Sequence, residues 1–111
     1  MSVETVTLPT TSRREKTKRQ PPYHVVLLND DDHTYEYVIR MLGQLFGYDE
    51  QKAYLMAKEV DSCGRVIVAT TTKERAELKR DQIHAFGPDP LLARSKGSMS
   101  AIIEPAEGGD E

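Results

Sequence analysis

Tyr23-His-Val-Val-Leu-Leu-Asn-Asp-Asp-Asp32 runs an apolar segment directly into Asn29 and three successive acids, and a helical pattern begins immediately behind them. The continuous apolarity of Tyr23–Leu28 suits a strand buried on both faces or central in a sheet. Asp30, Asp31 and Asp32 repel one another unless solvent, a helix N-terminus or a cation neutralises them, and no Lys or Arg lies within the next seven residues. The junction therefore calls for something positive.

Helical spacing follows. Tyr37, Val38, Met41, Leu42, Leu45 and Phe46 recur on one helical face, and Gly47 ends the pattern. Asp49 suits the N-cap of a second helix, whose apolar stripe is Ala53, Met56, Ala57 and Val60; Gly64 turns the chain again. Arg65–Thr70 is β-branched and reads as a second strand. Thr71 and Glu74 fit a capping box opening a third helix through Phe86, which Gly87-Pro88-Asp89-Pro90 terminates. Ser98–Ile103 can form a third strand. The predicted order is β-α-α-β-α-β without an internal repeat, in a chain of 111 residues that holds one small core.

The ends differ in charge. Arg13, Arg14, Lys16, Lys18 and Arg19 crowd the beginning, and Glu104, Glu107, Asp110 and Glu111 the end. The expected division is a disordered extension over 1–21, a core domain over 22–104 and an acidic tail over 105–111. A net charge of -3 gives no footprint for nucleic acid, no run is long enough to span a bilayer, and a single cysteine, Cys63, permits no internal disulfide. A protein of the cytoplasm, with no nucleic-acid or membrane partner, is the expectation.

Chemistry is sparse. Adjacent acids diverge and do not alternate as a calcium loop requires, and His24, His33 and His84 are scattered, so no metal or other cofactor is expected. No assembled nucleophile, base or oxyanion donor appears, so the chain does not read as an enzyme. Asn and Asp acceptors beside an apolar pocket suit a peptide α-ammonium, which is mostly charged at neutral pH and offers three N–H donors. The same residues also suit a solvated turn and cap.

Val25-Val-Leu-Leu-Asn-Asp-Asp31, Glu36-x-Val38, Val60-x-x-x-Gly64 and Thr72-x-Glu74-x-Ala76-Glu77-x-Lys79 together resemble the ClpS family, adaptors of Clp proteases, without gaps from about Tyr23 to Phe86. The resemblance implies an α+β fold with a three-stranded antiparallel sheet packed by three helices. It implies a monomeric, non-enzymatic adaptor that binds N-degrons, substrates with destabilising N-terminal residues, and hands them to a hexameric AAA+ unfoldase such as ClpA or ClpC. By position, Asn29 resembles the residue that bonds the substrate α-amine, with Asp30 and Asp31 at the same mouth. Leu27, Val38, Val60 and Met99 correspond to the lining of the side-chain pocket. Glu74, Glu77 and Lys79 match a patch that docks on the unfoldase N-domain, and the N-terminal extension resembles the segment that engages the unfoldase.

Three departures from the family pattern stand out. Asp61 replaces the His that accepts from the α-ammonium; a carboxylate is the stronger acceptor but repels Asp30 when the site is empty. His33-Thr34 replaces Thr-Pro, so the helix cap moves to Asp32 or Thr34. Tyr35 replaces the gatekeeping Met and Ala57 a second Met, which keeps volume while reshaping the pocket. Peptides beginning with Leu, Phe, Tyr or Trp and bearing a free amine are the expected ligands. An interaction domain of the same fold that binds the unfoldase or another partner without degron binding is the alternative. The connection before the last strand is longer than the family norm.

Overall fold

The computed structural model describes residues 21–106; the extension over 1–20 and the acidic residues 107–111 lie outside them. The elements are β1 Tyr23–Leu28, α1 Tyr35–Phe46, α2 Glu50–Cys63, β2 Arg65–Thr71, α3 Lys73–His84 and β3 Ala101–Pro105. β1 is the middle of a three-stranded antiparallel sheet of order β2-β1-β3. Its unbroken apolar run follows from that central place, with Val25, Val26 and Leu27 all fully buried. The sheet is asymmetric: Val25 and Leu27 join the helices in one core, whereas alternation turns Val26 to the other side, beside the exposed Ile67 and Ile102.

Pairing of β1 with β2 slips between Val25 and Val26, whose partners are Ala69 and Ile67. The extra residue, Val68, is a bulge, which lets Val68 and Ala69 both pack on the core side. The bulged carbonyl is not left bare, since the Tyr48 hydroxyl donates to it at 2.6 Å.

Thr34 caps α1, accepting from the Tyr37 N–H at 3.1 Å, which decides between the two expected caps. Asp49 caps α2 as expected, accepting from Lys52 N at 2.8 Å. Gly64 closes α2 in the left-handed region at φ 88°, a conformation that costs glycine little. Its carbonyl then accepts the Asn29 N–H at 3.0 Å, which ties the end of β1 to the end of α2.

Three boundaries differ from the sequence expectation: both ends of α3 and the start of the last strand. Thr71 is the last residue of β2, paired with Tyr23, and Thr72 caps α3 by accepting from Arg75 N. Glu74 is thereby one position too early for a capping box and contributes through the helix dipole alone. α3 stops at His84, and Phe86 instead turns edge-on to Tyr37, centroids 5.4 Å apart. The last strand starts at Ala101, because Ser98 serves a turn, accepting from Gly87 N at 2.6 Å, while Met99 enters the core.

Candidate functional site

The acid run curls into a turn that supplies its own partners. Asp30 Oδ1 accepts from the Asp32 N–H at 2.9 Å and from His33 Nδ1 at 2.7 Å. Asp32 pairs with Arg94 at 3.0 Å, and Arg94 also donates from two nitrogens to the Asp31 carbonyl. The partners of these acids therefore come from the chain itself: an imidazole three residues on, and a guanidinium from the far end of the sequence. Asp31 has no ion pair among the described residues.

Residues 85–100 lie against this turn. Asp89 is 2 % exposed, yet its carboxylate accepts from Thr34 N at 2.5 Å and from Leu91 N at 2.9 Å. Burial pushes its pKa up, but those hydrogen bonds and the neighbouring His33 outweigh burial, and the net shift is downward. His33 Nε2 meets the Gly97 carbonyl at 2.7 Å, and the Tyr37 hydroxyl donates to the Gly87 carbonyl at 2.6 Å. Burial is the main cause that raises the Tyr37 pKa.

Asn29 is exposed at the end of β1, and its backbone bond to Gly64 brings it to the end of α2, three residues from Asp61. Across this mouth the Tyr35 hydroxyl donates to Asp61 Oδ2 at 2.8 Å, and the ring leans on Tyr54 with centroids 5.8 Å apart. The hydrogen bond to Asp61 raises the Tyr35 pKa first, and loss of water and the carboxylate's charge add to it. Leu27, Val38, Ala57, Val60 and Met99 lie beneath, each no more than 3 % exposed and all in one core cluster. The Tyr35 phenol reaches Asp61, and these apolar residues are packed into the core.

A second feature sits at the opposite end of α1. Lys79 donates to the Leu45 carbonyl at 2.5 Å and lies 5.3 Å from the Phe46 ring. Leu45, Phe46, Ala69, Thr71, Arg75 and Lys79 line a cleft of about 220 Å³ there. Glu74 is exposed and Glu77 half-buried on α3. At 3.6 residues per turn Lys79 points about 200° round the helix from Glu77, so the two do not share a face.

The sequence reading grouped Asn29, Tyr35 and Asp61, of which Tyr35 and Asp61 share a hydrogen bond and Asn29 is tied through its backbone to Gly64. It missed Asp89, Arg94 and Tyr54. The i, i+3 spacing of Asp30 and His33 was the one local signal for that pair. Among the described residues no cluster of three or more His, Cys, Asp or Glu is arranged to hold a metal, and no helix is long and apolar enough to cross a membrane.

A single antiparallel sheet with three helices on one face, and a polar mouth where β1 meets α2, is the architecture to be placed. The family model for the ATP-dependent Clp protease adaptor protein ClpS matches residues 18–92. An adapter protein ClpS of Desulforapulum autotrophicum is 37% identical over 89 residues, covering 79% of this chain and 80% of that protein. One from Vibrio cholerae is 38% identical and covers 71% of this chain and 79% of its own. The solved structure of Agrobacterium tumefaciens ClpS2 bound to L-phenylalaninamide superposes with a TM-score of 0.67 at 24% identity, covering 78% of this chain and 99% of that one. At that identity the likeness speaks for the fold. The chain belongs to the ClpS family of ATP-dependent Clp protease adaptors.

Proposed function

We propose that this adaptor binds proteins by a free N-terminal amine and a bulky hydrophobic first residue, and delivers them to a Clp AAA+ unfoldase, ClpA or ClpC, in the cytoplasm. The observation that carries the reading is Asp61: a carboxylate without a basic partner among the described residues, near the end of the helix whose closing Gly64 carbonyl accepts the Asn29 N–H. An α-ammonium has three donors, and Asn29, Asp61 and Asp31 supply acceptors. Asp30 acts at one remove, because one of its oxygens already serves two donors. The relative solved with phenylalaninamide, an amine next to an aromatic side chain, supports this choice of ligand.

Entry requires the Tyr35 hydroxyl to leave Asp61 and the ring to swing aside, so that Leu27, Val38, Ala57, Val60 and Met99 receive the side chain. The unfoldase is met by the monomer through two sides of α3, Glu74 with Glu77 on one and Lys79 on the other, and through the N-terminal extension. Fluorescence anisotropy with a Phe-initiated peptide and its N-acetylated form tests the amine site. Binding of the free amine alone is expected, and equal affinity for both rejects it. The phenol across the mouth favours a second reading, a ClpS-fold domain that engages the unfoldase and modulates its specificity without degron binding. Binding of the unfoldase N-domain together with failure of every N-terminal residue on a peptide array would select that reading.

A further inference from the structure

Apart from Met99, the connection from α3 to β3 has no part in the activity proposed above, although it makes most of the polar contacts at the N-terminal end of α1. We infer that this connection is a strap that positions the amine-binding mouth, with Arg94 and His33 as its positioning residues; the inference rests on the reading of that mouth as an α-amine site. Arg94 grips a main-chain carbonyl, that of Asp31, from two nitrogens while Nε also meets Asp32 Oδ1 at 3.0 Å. A planar guanidinium with two donors on one carbonyl fixes the plane of the following peptide, and with it the direction in which the Asp31 side chain leaves the backbone. A carboxylate partner alone would not do this.

His33 makes the second tie. Its side chain is 3 % exposed and lies between Asp30 Oδ1 and the Gly97 carbonyl, 2.7 Å from each. The ring thus bridges the turn to the strap through the carboxylate that also accepts the Asp32 N–H. Two of the three successive acids are engaged internally, and the carboxylates left to meet an arriving cation are Asp31 and Asp61, the latter behind the Tyr35 hydroxyl. A loose run of three acids would attract any cation; a turn clamped twice presents one geometry.

The test uses Arg94→Ala, whose parent side chain is 62 % exposed, so the variant folds. With a Phe-initiated peptide, anisotropy should show affinity about tenfold weaker than the parent at an almost unchanged thermal midpoint. Arg94→Lys should restore part of the loss, since it returns the charge without the two-donor grip. Were Arg94 only a neutraliser, its removal would leave the mouth more negative and binding tighter at low salt; tighter or unchanged binding overturns the positioning role. Amide hydrogen exchange reads the clamp without any peptide: the Asp32 and Thr34 amides, bonded to Asp30 and Asp89, should exchange at least tenfold faster in Arg94→Ala, while amides of β1 stay as they were. Unchanged exchange overturns the clamp. If the parent itself fails to bind the Phe-initiated peptide, the degron reading falls, and exchange alone decides whether the strap holds the turn.

Discussion

The two ends of α1 are finished with opposite charges and to very different depths. At the N-terminus a buried carboxylate, Asp89, meets the Thr34 N–H inside a network that includes Leu91, Ser95 and His33. At the C-terminus a half-buried ammonium, Lys79, meets the Leu45 carbonyl beside an open cleft. Each sign suits the helix dipole at its end. The difference teaches where the molecule is built and where it is left open: the acid is held by several donors and its loss strands them, whereas the cation makes one bond and water can replace it.

Asp89→Ala should show the largest effect, about 3 kcal/mol of stability lost in thermal or urea unfolding, because two backbone N–H groups lose their acceptor in a buried setting. Asp89→Asn sharpens the electrostatic part. The folded pKa lies below the ordinary 3.8, so the ionised form contributes stability that is present above that value and is lost as pH falls through the lower, folded one. The gap between parent and Asp89→Asn should therefore be constant at neutral pH and close in acid; a gap that persists at the lowest pH would assign it to packing.

Lys79→Met should cost less, about 1 kcal/mol, since the Leu45 carbonyl faces a cleft that water enters. A loss as large as that of Asp89→Ala would erase the contrast between the ends. Charge reversal at Lys79 should abolish capture of the unfoldase N-domain while the Phe-initiated peptide still binds. Thr34→Ala, which removes the cap but leaves Asp89 in place, should cost about 1 kcal/mol by the same unfolding assay. Tyr35→Phe is expected to change stability least, because its hydrogen bond is exposed, while strengthening peptide binding several-fold because Asp61 no longer has to shed a hydroxyl. Weaker binding in that variant would mean that the hydroxyl holds Asp61 in place for the amine.

Local pattern made much of this legible. The run Tyr23–Leu28 announced a strand buried on both faces or central, the spacing from Tyr37 to Phe46 a helix, and Gly47 and Gly64 the ends of α1 and α2, because each reflects the geometry of a few neighbouring residues. The start of α3 was not legible in the same way. Thr70, Thr71 and Thr72 are chemically alike, and the cap went to Thr72 because Thr71 is claimed by pairing with Tyr23, 48 positions away. The mouth divides similarly: Asn29 and Asp61 could be named from the family pattern, but the hydroxyl of Tyr35 across the entrance could not.

What the residues determined unaided was the succession of strands and helices, the family, and the crowding of negative charge after β1, since periodicity, caps and like-charge repulsion act over one or two turns of chain. Only the tertiary structure decided that Arg94 pairs with Asp32 and that Asp89 meets the Thr34 N–H. Arg94 stands 62 positions from Asp32 and Asp89 stands 55 from Thr34, and contacts over such separations arise when the core brings the α3–β3 connection against α1, a placement that no local spacing encodes.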